Sequence, residues 1–213
     1  MRPGSFPTGT TVVQTGRAVD RAVLTRLRTA TATAHERVEN RLFPSALADR
    51  ASYARMLAAL LALHEPLERR FARTPGFADL GVDLPSRRKA GALRADLAAL
   101  GAPAGPAEDL PAGPAPDGLA GAVGAFYVLE GSTLGGRYLL DEVHNRLDGA
   151  PSRFFAGYGD DTGRRWRGTR RAIVEVVARD ADRADAERRL VDGALGTFAH
   201  LDTLLTRAGW APA

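Results

Sequence analysis

Residues 119–147 read LAGAVGAFYVLEGSTLGGRYLLDEVHNRL, a long run whose apolar residues recur at helical intervals and whose glycines interrupt it without ending it. A glycine in a helix interior costs about 1 kcal/mol relative to alanine. Gly131, Gly135 and Gly136 stand within one short stretch of this helix, and such a concentration has a purpose. Gly131 and Gly135 lie at i and i+4, which strips side chains from one face, and Gly136 adds freedom to bend. Two readings follow. Either the glycines permit a kink or close helix–helix packing, or the bare backbone lies against something flat and bulky that a Cβ would strike.

Helical periodicity continues on both sides. Leu24, Leu27, Thr31, Ala34, Val38 and Leu42 repeat at spacings of three and four, and Pro44 stops that helix. A second helix fits residues 49–73, with Pro66 as a kink or limit. A third fits 86–100, the fourth 119–147, a fifth 164–179 and a sixth 182–207. Five prolines between 101 and 118 mark a surface loop, and glycines mark another around 149–163. Residues 1–17 read as a flexible arm, with Thr10–Thr15 the one strand-like run. Residues 18–213 read as a single all-α domain, a helical bundle around one core.

Composition narrows the function. With 213 residues, 45% hydrophobic and 25% charged, the chain is an ordinary globular protein rather than a disordered or collagen-like one. It has no cysteine, which excludes thiolate zinc sites and iron–sulfur clusters. The net charge is +4, and Lys89 is the single lysine, leaving 28 arginines among 29 basic residues. Acidic residues are mixed among those arginines, so a nucleic-acid partner is not expected. No membrane-length apolar run and no signal-peptide core occurs, which predicts a cytoplasmic protein without a membrane partner. There is no P-loop, no GxSxG elbow and no strand-borne dinucleotide fingerprint.

Of the four histidines, none pairs at a two-ligand spacing. Arg28, His35 and Glu39 share one stripe of the first helix, beside its apolar face. A carboxylate one turn after a histidine can orient the imidazole as a metal ligand, or it can be an ordinary surface pair. His64, His144 and His200 read as packing or boundary residues. Phe126, Phe154, Phe155 and Phe198 read as core.

The segment LRTATATAHERVENRLF, followed by YVLEGSTLGGRYLL and then RFFAGYG and RRWRGTRR, resembles the haem oxygenases, most closely the bacterial biliverdin-producing type associated with bacteriophytochromes. The resemblance spans about residues 20–207. It implies that His35 is the axial iron ligand, with Glu39 as its acidic neighbour and Arg28 as a basic residue on the same face. It places Gly131, Gly135 and Gly136 on the distal helix over the haem, with Tyr127 lining the pocket. Arg167 and Arg171, at i and i+4 beside Trp166, match basic positions that can meet the haem propionates.

One departure stands out, since many of the family carry an aspartate directly after the first distal glycine and this chain has Ser132. Ser132, Thr133 and Glu130 are the candidates to hold the distal water. The implied reaction uses haem as both substrate and oxygen-activating cofactor. Its products are biliverdin, carbon monoxide and ferrous iron. Electrons come from an external reductase or ferredoxin, since no flavin or nicotinamide motif is present. A carrier or sensor on the same bundle would bind haem without turnover. A basic interaction protein would bind none and would show steeply salt-dependent nucleic-acid affinity.

Overall fold

The computed structural model describes residues 10–43, 45–103 and 115–210, and among them there is no strand. Seven α-helices carry the fold: α1 (Thr10–Leu42), α2 (Arg50–Arg73), α3 (Ala90–Ala99), α4 (Gly118–Arg146), α5 (Arg153–Ala156), α6 (Thr162–Arg179) and α7 (Arg183–Arg207). The all-α expectation holds, and the periodic residues Leu27, Thr31, Val38 and Leu42 are buried, as is Val23 one turn earlier.

Several boundaries differ from the sequence reading, whereas α2 keeps its expected span. Helix α1 begins at Thr10, so Thr10–Thr15 is helical and the part of the arm from 10 onward belongs to α1. Extending a helix that already exists costs far less than starting one, which offsets the weak propensity of Thr and Val. Residues 1–9, Pro44 and the loop centre 104–114 lie outside the described residues. Helix α2 runs through Pro66 to Arg73. Leu60, Leu61, Leu63, His64, Leu67 and Phe71 are buried on both sides of the proline, and that continuous apolar face outweighs one missing backbone donor. Helix α3 starts four residues late, because Pro85–Arg87 forms a separate 3-10 turn. The 149–163 loop contains α5 and the 3-10 turn Gly159–Asp161.

Acidic side chains cap the helix starts, some from the residue just ahead and some from another helix. Asp49 accepts from Ser52 N at 2.6 Å to cap α2, and Asp182 accepts from Asp185 N at 3.0 Å to cap α7. Glu68 of α2 accepts from the N–H groups of Lys89 and Ala90, at 2.7 and 3.1 Å, and so caps α3. Asp96 of α3 is fully buried and accepts from Arg153 N and Phe154 N, at 3.1 and 2.9 Å, capping α5. Helix α5 in turn lies across the back of α4. A Cβ on Gly136 would stand 2.9 Å from Phe155 O, so only glycine admits that approach.

Helices α4 and α7 form the most extensive pairing in the molecule. Their crossing is a backbone-to-backbone contact. A Cβ at Gly124 would land inside the shell of Leu190 O, and one at Gly193 inside that of Gly121 O. Arg41 locks α1 to the end of α7. Its side chain is buried, pairs with Asp202, and donates to Asp202 O at 2.9 Å, Thr206 Oγ1 at 2.8 Å and Trp210 O at 2.7 Å.

Candidate functional site

Helices α6 and α7 each pack against both α1 and α4, whereas α1 and α4 scarcely touch one another. The helix bearing His35 and the glycine-interrupted helix are therefore held apart across a floor made by α6 and α7. On α4 the two faces have opposite characters. Phe126, Leu129, Glu130 and Thr133 are buried. On the other side Leu134 and Tyr138 are the large apolar residues left exposed, at 46% and 69%. Tyr127, Gly131, Leu134, Gly135 and Tyr138 follow one another at helical intervals on this uncovered side. A Cβ built on Gly131 or Gly135 meets nothing within 4 Å. Neither glycine is needed for packing against the rest of the chain, and neither has positive φ. Gly136 is the exception in the triplet, because it faces α5.

His35 and Glu39 lie half in solvent, with Nδ1 of the imidazole 3.3 Å from Oε2 of the carboxylate. The ring edge meets the buried Phe198 of α7 at a centroid distance of 6.0 Å and an interplanar angle of 83°. Nδ1 is thus turned to the acid, and Nε2 is the ring nitrogen left clear of that contact. Arg28 is exposed on the same helix. On α6 the Trp166 ring packs on Tyr127 at 5.8 Å, joining α6 to the uncovered side of α4, and Arg167 and Arg171 are exposed beside it. The structure therefore brings Tyr127 and Trp166 together and pairs His35 with Glu39. Arg28, Arg167 and Arg171 remain surface cations.

The three distal candidates separate. Glu130 is buried, pairs with Arg87, accepts from Tyr158 OH and lies 3.4 Å from Thr169 Oγ1. Thr133 Oγ1 accepts from Lys89 Nζ. Both point away from the uncovered side. Ser132 is exposed and donates to Leu129 O at 2.8 Å, so its hydroxyl lone pairs are turned outward. Glu130 and Thr133 thus belong to a buried polar cluster behind α4, whose one signal in the sequence is a lone lysine in an arginine-rich chain. His64, also buried, meets the Phe154 ring edge-on and lies 3.6 Å from Glu68. Burial pushes its imidazole below the ordinary value despite the nearby Glu68 carboxylate. Burial alone would raise Glu68, but the nearby His64 and the hydrogen bonds from the N–H groups of Lys89 and Ala90 hold it low.

An all-helical fold with an imidazole on its first helix and a side-chain-free stretch on a separate helix suits a flat ligand such as haem held between the two. The donor set fits, since a neutral imidazole suits haem iron and exposed arginines suit carboxylates. The heme oxygenase family model matches residues 21–207. A heme oxygenase of Xanthomonas campestris pv. campestris (strain 8004) is 35% identical over 120 residues, 56% of this chain and 68% of that one. Among solved structures, the NO- and CO-bound heme oxygenase from Neisseria meningitidis superposes with a TM-score of 0.75 at 21% identity. That match covers 89% of this chain and 93% of the other, a likeness of fold. The chain belongs to the heme oxygenase family. It is accordingly an oxidoreductase that degrades haem. Among the described residues no helix is long and apolar enough to cross a membrane.

Proposed function

We propose that haem sits between α1 and the uncovered side of α4, with His35 as its axial ligand, and is cleaved there to biliverdin, carbon monoxide and ferrous iron. The observation that carries this reading is the pair of helix-interior glycines, Gly131 and Gly135, that cost stability and face no protein atom. Haem when bound supplies the iron that activates oxygen and the ring that is attacked. The chain's own residues do the rest. Glu39 orients the imidazole through Nδ1. Gly131 and Gly135 let backbone approach the distal face, and Gly136 seats the helix on α5. Tyr127, Leu134 and Tyr138 exclude water from the disc. Arg28, Arg167 and Arg171 pair with carboxylates at the rim, where guanidinium binds in a fork.

Ser132 takes the water-organising place that an aspartate has in many of the family, because Glu130 and Thr133 are both engaged behind the helix. A hydroxyl can pass a proton from water without holding a charge. Electrons come from a separate reductase or ferredoxin in the cytoplasm. The resemblance of the chain to the type associated with bacteriophytochromes favours a bacteriophytochrome apoprotein as the acceptor of the bilin.

The test is a hemin titration followed by reductant in air. A Soret band that saturates at one equivalent and then gives way to a broad bilin absorption is the expected result. A Soret band that persists under reductant and oxygen would move the function to haem carriage, and no band would remove the site. His35→Ala should abolish turnover, and biliverdin formation by that variant at the wild-type rate without added imidazole would refute the ligand.

A further inference from the structure

Lys89 is the one lysine in the chain and is 5% exposed. It stands between the Pro85–Arg87 turn and α3, where Glu68 holds its backbone N–H. Its Nζ donates to Thr133 Oγ1 on α4 and lies over two rings, 4.7 Å from the Tyr158 centroid and 5.8 Å from that of Phe154. Arg87, two residues earlier, pairs with Glu130 one turn before Thr133. Tyr158 OH bonds Glu130 and Arg87 O, and Arg165 of α6 covers the Tyr158 ring at 4.5 Å. His64 and Glu68 close the cluster from α2, around a cavity of about 10 Å³, room for a single water. Burial pulls the Lys89 ammonium down to about 8, against Glu130 and Glu68 and together with Arg87 and Arg165.

Glu130 and Thr133 occupy the side of α4 opposite Gly131 and Gly135. Whatever grips them sets the rotation of the helix, and hence how deep the bare face lies. A guanidinium in place of the ammonium needs space for a planar fork that so small a cavity does not offer. That requirement explains a lysine at this one position in a chain that otherwise uses arginine. Gly157 tightens the same grip, because a Cβ there would stand 2.7 Å from Thr133 Cγ2.

We propose that Lys89, acting through Thr133, is a positioning residue for haem cleavage: it locks the rotation of α4 and so sets where the Gly131–Gly135 face meets the ring. This rests on the reading of that face as the haem-facing surface. Thr133→Val deletes the hydroxyl and keeps the shape, Thr133→Ser keeps the hydroxyl, and Lys89→Met deletes the amine.

Thr133→Val and Lys89→Met should bind hemin within about twofold of wild type, lose tenfold or more in kcat, and yield a broadened mixture of biliverdin isomers. Thr133→Ser should restore both rate and isomer. The haem-free protein gives a second readout, since reductive methylation followed by mass spectrometry sees only the N-terminal amine and Lys89. Lys89 should react at least tenfold slower than the N-terminus, and severalfold faster in Thr133→Val.

Wild-type kcat and a wild-type isomer in both deletion variants would overturn the positioning role. Fast methylation of Lys89 in the wild-type apo-protein would overturn the grip itself while leaving haem binding untouched. Failure of the wild-type chain to bind hemin would overturn the haem reading and this proposal with it, and the titration identifies that case directly.

Discussion

Gly135→Ala should stabilise the haem-free protein and cripple the enzyme. The added methyl meets no atom within 4 Å, and Gly135 has ordinary helical φ, so no strain offsets the propensity gain. That gain is about 1 kcal/mol, roughly 2–4 °C in Tm for a domain of this size. Urea denaturation of the apo-protein should show a higher midpoint at an unchanged m-value. In the holo-protein the same methyl projects into the space assigned to the ring, and a displacement of about 1 Å there costs on the order of 100-fold in turnover.

Gly193→Ala is the control with the opposite sign. Its methyl strikes Gly121 O in the α4–α7 crossing, and the apo-protein should lose about 1–3 kcal/mol. A destabilised Gly135→Ala apo-protein would refute the open space on α4. A stabilised variant with wild-type turnover would refute the claim that the glycine is kept for haem.

Other perturbations test other parts of the molecule. Arg41→Met leaves Trp210 O and Thr206 without their donor and should cost about 2–3 kcal/mol by urea denaturation, less than for a fully buried pair because Asp202 is part-exposed. Burial holds the His64 pKa in the folded state below the ordinary imidazole value, so the unfolded chain binds the extra proton, and stability should fall as pH drops below about 6.5. His64→Gln should flatten that slope, and an unchanged slope would place the acid sensitivity elsewhere. Replacing Arg167 and Arg171 together by alanine should weaken hemin binding about tenfold and alter the bilin isomer, as measured by titration and product chromatography.

What the sequence disclosed followed from periodicity. Leu27, Val38 and Leu42 announce α1, and Gly131 and Gly135 announce a bare face, because both signals are local. Their partners are not local. Gly124 and Gly193 belong to a crossing between helices some seventy residues apart along the chain, and nothing near either glycine distinguishes packing from a kink. The triplet at 131–136 divides for the same reason: Gly136 answers to Phe155 O, whereas the other two answer to no protein atom. Glu130 sits among apolar residues as a lone acid, and only the fold shows that Arg87, Tyr158 and Thr169 converge on it. Pro66 stays inside α2, as the 49–73 span requires, because the rule against proline concerns one hydrogen bond while the six buried side chains around it decide the outcome.

With haem placed as proposed, the exposed Leu134 and Tyr138 give the enzyme two different surfaces in its working cycle. Loaded with haem, the chain meets water as a mixed, arginine-rich particle. Emptied by product release, it presents an oily strip that water wets poorly and that another molecule of the same kind can cover. Colloidal behaviour therefore tracks occupancy. The haem-free form should be the one that adheres to columns and binds hydrophobic dyes, and dye fluorescence should fall as hemin is added.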